Sequence, residues 1–278
     1  LPGMRIRATA LVMDLKLPPS DQPMPPSAGN FVPAATLVIF RQNPQVGQPP
    51  QLLMVERSPR MRFAAGASVF PGGRVDPADR ELARALEPEA PLEMASARIA
   101  AIRETLEETG LLVGCLDPVT PEAAREGRAL LAREGALAPV LARMGWTLAP
   151  DRLAFFAHWC PNLERAFDTR FFLADLGSGE VEIAVDETEN SRLFWASAAQ
   201  TLEMAENGAT RLIFPTLRNL ERLARFGSYA EALADVERHP PRRIQPRSET
   251  RCDGQWLAIP DDLGYPVCAQ RLESVRRG

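Results

Sequence analysis

From residue 33 onward the chain alternates short apolar runs with polar breaks that carry Gly and Pro. Residues 35–41 and 51–57 are apolar runs of strand length, and 43–50 between them, with Pro44, Gly47, Pro49 and Pro50, suits a hairpin-like connection. A shorter strand over 67–70 ends in Pro71-Gly72-Gly73. Two glycines after a proline permit a sharp turn and a close approach of backbone to a ligand. Residues 76–91 are acidic and read as irregular. Residues 95–109 read as a strong helix: Ala, Arg, Ile, Leu and Glu dominate, Ile99, Ile102 and Leu106 form an apolar stripe, and Gly110 supplies a cap. Residues 121–143 are helical with a break near 135–139. Strands are expected over 153–158, 169–174 and 193–196, with a polar, acidic loop over 177–190. Helices follow over 198–207, 215–226 and 229–237. The stretch 239–278 is broken by Pro240, Pro241, Pro246 and Pro260, leaving short strands at 242–245 and 256–259.

This order of elements predicts an α+β domain, a mixed β-sheet sandwiched between helices. Residues 1–32, with Pro18, Pro19, Pro23, Pro25 and Pro26, read as a disordered tail. The opening Leu1-Pro2-Gly3 reads as a scar ahead of a natural Met4. The chain has 278 residues, ample for a real core. The sequence contains no internal repeat.

Composition alters this picture little. Hydrophobic content of 45% and charged content of 24% are ordinary for a globular protein. The net charge of −4 excludes a protein that coats nucleic acid, for want of basic residues to neutralise phosphates. Lys16 is the sole lysine; codon bias is the favoured explanation, and composition alone does not support a preference for arginine at phosphate. Cys115, Cys160, Cys252 and Cys268 show no CxxC spacing, which argues against a zinc or redox motif. With no signal peptide in view, reduced thiols and a cytoplasmic location are expected. The longest strongly apolar runs fall far short of the ~20 residues a membrane helix needs.

The informative string is Arg103-Glu104-Thr105-Leu106-Glu107-Glu108-Thr109-Gly110-Leu111. On a helix, Glu104 lies three residues before Glu107 and four before Glu108, so the three carboxylates share a face. Taken alone, such a cluster is more often a solvated acidic face. Clustered like charges repel, however, and a divalent cation removes the conflict. Mg2+ prefers carboxylate, water and phosphate oxygens, and coordination favours the ionised carboxylates.

Together with Phe70-Pro71-Gly72-Gly73, this string resembles the box of the Nudix hydrolases: a Gly, five residues, a Glu, seven residues, then Arg-Glu-aliphatic-x-Glu-Glu-x-Gly-aliphatic. The separation of Gly73 from Arg103 is about sixteen residues longer than in that pattern, with the extra segment in 76–92. Counted back from Arg103, the first Glu falls on Ala95, so that carboxylate is missing or is supplied by Glu89 or Glu93. Thr105 stands where an aliphatic residue is usual. A long insertion of this kind occurs in a subgroup related to coenzyme A diphosphatases. Leu52-Leu53-Met54-Val55-Glu56-Arg57-Ser58, then Arg62, Gly66 and Phe70-Pro71-Gly72-Gly73, are similar to the coenzyme A pattern upstream of the box. The Thr usual before Arg-Ser is lacking, and Ser68 replaces a Val. Arg165-Ala166-Phe167-Asp168-Thr169-Arg170-Phe171-Phe172 also looks like this subgroup.

The resemblance implies a Nudix fold over 33–238, with a helical insertion at about 119–145 and a C-terminal extension over 239–278. It implies Mg2+ or Mn2+ held by Glu104, Glu107, Glu108 and the Gly72 carbonyl, with Arg103 orienting a glutamate. A general base from a late loop would be Glu187 or Glu189, for which a solvated acidic loop is the competing reading. Arg57 and Arg62 would contact substrate phosphates, against the alternative of surface charge or an ion pair. The implied partner is a small nucleoside diphosphate substrate, most specifically coenzyme A or acyl-coenzyme A, with ADP-ribose, NADH or similar compounds as alternatives, and neither nucleic acid nor membrane. A nucleotide-sensing domain without catalysis is disfavoured by the intact glutamate set and by the lack of a helix-turn-helix or basic patch. His158, Phe156, Trp159 and Trp195 read as core residues rather than catalytic or base-stacking groups. The insertion suits a substrate lid or a dimer surface, which leaves a homodimer open.

Overall fold

The computed structural model describes residues 31–60, 64–161, 166–177, 183 and 190–275. Nearly all of the expected tail lies outside that set, as does most of the acidic loop over 177–190. Strands β1 (Val32–Arg41), β2 (Gln51–Arg57), β3 (Ser68–Val69), β4 (Gly72–Arg74), β5 (Ala154–Trp159), β6 (Phe167–Asp175), β7 (Asn190–Ala196) and β8 (Arg243–Ile244) form one eight-stranded sheet among the described residues. Its order is β3-β2-β1-β6-β5-β8, with β4 pairing β1 and β7 pairing β2. The sheet is mixed: β1 runs parallel to β6 and antiparallel to β2 and β4, while β5 is antiparallel to β6 and parallel to β8.

The central strands read as continuous apolar runs because both faces of the sheet are covered. Successive side chains alternate between the faces. Ala35, Leu37 and Ile39 of β1, Leu53 of β2 and Phe172 of β6 join one core with Ile99, Ile102 and Leu106. Val38 and Phe40, Leu52 and Met54, and Phe171 and Leu173 join the other. Helices α1 (Pro77–Leu86), α2 (Leu92–Thr109), α3 (Pro121–Glu134) and α4 (Leu137–Met144) supply the first core. Helices α5 (Ala198–Glu206), α6 (Phe214–Leu223) and α7 (Tyr229–Arg238) supply the second. Ile259, Leu263 and Tyr265 join that second core, where Tyr265 Oη and Trp159 Nε1 donate to the same Asn219 Oδ1 at 2.8 and 3.2 Å. Nearby, β9 (Arg247–Arg251), β10 (Gly254–Ala258) and β11 (Ala269–Arg271) make a small antiparallel sheet.

The principal correction concerns 76–91, where an irregular stretch was expected. It contains α1. Pro77 is not a breaker there: it occupies the first turn, where its missing N–H costs nothing. Arg-Glu-Leu-Ala-Arg-Ala-Leu then supplies good helix formers. The helix expected over 95–109 begins three residues earlier, at Leu92. Two ion pairs join α1 and its following loop to α2: Arg80 with Glu93 at 2.8 Å, and Arg98 with Glu87 at 2.6 Å. The break expected near 135–139 falls at Gly135, between α3 and α4. Among the described residues no helix is long and apolar enough to cross a membrane, and the four cysteines are free.

The α2 stripe anchors the first core, so truncating it should be costly. Ile99 is fully buried, and Ile99→Ala is expected to destabilise the protein by ~2–5 kcal/mol in urea unfolding, the range for large-to-small core substitutions. A loss below about 1 kcal/mol would contradict the packing described.

Candidate active site

The turn at Phe70-Pro71-Gly72-Gly73 leads into β4, which pairs Gly72 with Thr36 and Gly73 with Ala35. Helix α2 crosses this turn at very short range. A Cβ on Gly73 would stand 2.3 Å from Glu104 Oε1, and one on Gly72 would stand 2.3 Å from the Ala35 carbonyl oxygen. Only glycine lets both contacts exist. The Gly72 N–H donates to Glu108 Oε2 at 3.0 Å.

Arg103 organises the rest. It is 4% exposed, and its fork is filled on several sides. Nε donates to Asp79 Oδ1 at 2.9 Å, and Nη2 donates to Asp79 Oδ2 at 3.0 Å and to the Arg74 carbonyl at 2.9 Å. Nη1 donates to Glu107 Oε2 at 3.2 Å, and Nη2 lies 3.0 Å from Glu104 Oε1. A bidentate guanidinium–carboxylate pair of this kind is strong and directional. Burial alone would depress the Arg103 pKa, but the bond to Asp79 and the charges of Glu104, Asp79 and Asp76 outweigh it and raise the value.

Asp79 is thus the carboxylate that answers Arg103, in place of Glu89 or Glu93. Glu89 is exposed, and Glu93 is engaged with Arg80. Asp79 is 1% exposed and also accepts the Asp76 N–H at 2.8 Å, so one side chain serves the start of α1 and the arginine together. A signal existed: counting five residues forward from Gly73 reaches Asp79, whereas counting backward from Arg103 reaches Ala95. Ala95 is fully buried in the apolar core. Thr105, which replaces an aliphatic residue, is satisfied inside the helix by donating to the Ala101 carbonyl at 2.7 Å.

Glu104 and Glu108 are buried carboxylates beside each other's charge. Burial drives the Glu104 pKa up to about 7, partly offset by Arg103, with Glu107 adding to the rise. Burial, then Glu104, drives Glu108 to about 8 against the opposing bond from Gly72, the nearby Asn190 amide and the charge of Arg57. Glu107 is more open, its side chain 45% exposed. Arg128 of α3 donates to the Glu107 carbonyl at 2.8 Å, a cation at the negative end of α2. Among the described residues, no three acidic, His or Cys side chains form a metal cluster as they stand. The glutamates instead spend oxygens on Arg103 and on the Gly72 N–H. The donor chemistry nevertheless fits a hard divalent cation, since burial pushes the Glu104 and Glu108 carboxyls up to about 7 and about 8 and a cation beside them would favour their ionised forms.

Of the other expected site residues, Arg57 ends β2 beside Glu108. Arg62, Glu187 and Glu189 lie outside the described residues, as does Arg165. Phe156 and Trp159 are buried in the second core, and Trp195 packs against the first with Arg41 over its ring at 4.3 Å. His158 pairs with Asp168 at the partly buried side of β5 and β6.

No family model matches the chain. The curated protein "Uncharacterized Nudix hydrolase NudL" of Klebsiella aerogenes is 45% identical over 92 residues, a match covering 31% of this chain and 61% of that relative's length. The crystal structure of a NUDIX hydrolase from Alicyclobacillus acidocaldarius superposes with a TM-score of 0.62 at 28% identity, covering 75% of this chain and 97% of that one. The fold is the Nudix fold. The chain is similar to Nudix hydrolases in sequence over those 92 residues and in fold over most of its length.

Two outcomes test the site. Asp79→Ala removes the main partner of a buried guanidinium and is expected to cost about 3 kcal/mol or more in urea unfolding; a loss under ~1 kcal/mol would deny Asp79 that role. Glu104 and Glu108 bind protons more tightly folded than unfolded. In chelator, the unfolding midpoint should therefore fall as pH rises from about 5 to 8, and saturating Mg2+ should flatten that fall. A metal-free midpoint that rises across this window would refute the assignment of strain to these carboxylates.

Proposed function

We propose that this chain is a metal-dependent hydrolase of the Nudix type that cleaves a diphosphate linkage in a nucleoside diphosphate derivative. The observation that carries this reading is the set of Glu104, Glu107 and Glu108 gathered around Arg103 over the Gly72-Gly73 backbone. Glu104, Glu107, Glu108 and the Gly72 carbonyl would hold Mg2+ or Mn2+. When bound, such a cation polarises phosphoryl oxygens and lowers the pKa of a coordinated water.

The residues of the chain do the rest. Arg103, pinned by Asp79, holds Glu104 and Glu107 in place by charge-assisted bonds. The burial of Glu104 and Glu108 excludes water and strengthens each charge contact. A glutamate of the late loop, Glu187 or Glu189, takes the proton of the attacking water. The new P–O bond forms in line as the bond to the bridging oxygen breaks, and the second phosphate leaves. Positioning and charge neutralisation supply most of the rate in such transfers.

For substrate we propose coenzyme A or an acyl derivative, cut to adenosine 3′,5′-bisphosphate and a phosphopantetheine product. Support comes from Arg57-Ser58, Arg62 and Gly66 joined to Phe70-Pro71-Gly72-Gly73, and from the place of Arg57 beside Glu108. An arginine fork suits the extra 3′-phosphate.

Turnover with Mg2+ or Mn2+ across coenzyme A, dephospho-coenzyme A, ADP-ribose, NADH and dinucleoside polyphosphates tests both levels. Coenzyme A should exceed its dephospho form by about tenfold, and Arg62→Ala should erase the difference. Equal rates would remove the coenzyme A assignment and leave the diphosphate reading. Glu107→Gln and Glu108→Gln should each lose at least ~100-fold in turnover while remaining folded. Near wild-type rates in either would remove that residue from the site.

A further inference from the structure

The ladder between β2 and β7 runs in register from Leu52↔Ala196 to Glu56↔Arg192, then slips, so that Arg57 faces Asn190. A slip of this kind re-aims side chains, and such irregularities recur beside active sites. Here it sets Arg57 opposite Asn190. Asn190 is 1% exposed, yet neither its amide nitrogen nor its carbonyl oxygen completes a hydrogen bond among the described residues. Arg57 Nε is likewise buried without an acceptor. Both residues stand beside Glu108: the amide is near enough to favour the ionised carboxylate as a donor does, and the guanidinium favours it by charge. The approach falls short of full hydrogen-bond geometry, a state in which apo sites often wait for their ligand.

A buried amide with both ends unmet is costly, and native proteins keep few of them. One arrangement joins all three groups at once. The carboxylate can accept, the guanidinium Nε can donate, and a side-chain amide between them does both. We propose that Asn190 is a positioning residue of the active site, its nitrogen donating to Glu108 and its oxygen accepting from Arg57 Nε, so that the arginine steers the glutamate through the amide. An aspartate there would repel Glu108, and an apolar side chain would break both links. With the amide bond completed, Glu108 is gripped from two sides, by the Gly72 N–H already on one oxygen and by Asn190 from β7. The inference rests on reading the α2 face as the metal-binding site.

The test is Mn2+ binding to the full chain by calorimetry without substrate, alongside kcat and KM on the best diphosphate substrate. Asn190→Leu, close in size, should keep the wild-type unfolding midpoint, since it removes no completed bond. It should bind Mn2+ about 10–100-fold more weakly, as expected when a partner that orients a ligand is lost, and kcat should fall while KM holds. Asn190→Ala makes the same comparison should leucine not fold. Unchanged Mn2+ affinity overturns the inference. A raised KM at constant kcat assigns Asn190 to direct substrate contact and also overturns it. Wild-type protein that binds no Mn2+ overturns the reading of the α2 face and this inference with it, a result distinct from the other two.

Discussion

The guanidinium of Arg103 is a permanent positive charge in the protein interior, and its neighbours are arranged around the need to answer it. A charge there is tolerable only with good geometry and filled hydrogen bonds. Asp79 brings α1, the Arg74 carbonyl brings β4, and Glu104 and Glu107 come from the arginine's own helix. The pair with Asp79 is therefore a constraint on three elements at once. It holds α1 against α2 and sets the height of α2 above the glycine turn. The arginine satisfies Asp79 fully, however, and the glutamates only in part.

The fold supplies what this arrangement needs from further away. Strand β1 carries one core on each face, so α2 rests on a strand that is packed from both sides. Gly72 and Gly73 thin the sheet beside it, and the carboxylates come down to backbone level. Arg128 fixes the far end of α2 from α3. Helix, turn and sheet edge are thereby related by contacts of about 3 Å rather than by loop geometry, which suits a site that works by positioning.

Much of this was legible in the sequence because it is local. The spacing of Glu104, Glu107 and Glu108 needs only the helical period, and the glycine pair needs only its place after Pro71. The strands announced themselves because burial on both faces makes them apolar throughout. Other features were obscured by the direction of reading. Residues 76–91 looked irregular and Asp79 like one acid among several, since its partner is twenty-four residues away in the chain. Measured from Arg103, the lengthened spacing hid it; measured from Gly73, it stands where a carboxylate is called for. Asn190 left no trace at all. Its importance depends on a register slip between two strands far apart in sequence, and nothing in its own neighbourhood marks it.

The bond from the Gly72 N–H to Glu108 has one more consequence. A backbone amide held by an ionised carboxylate is bound more tightly than one held by a neutral acid. Strand β4 is short and pairs on one side, with β1, so this amide depends on Glu108 for its protection. Its rate of proton exchange with solvent consequently tracks the charge on the glutamate. The polypeptide carries, in an ordinary peptide group, its own indicator of how the buried acid is ionised, readable residue by residue without any label or chemical turnover.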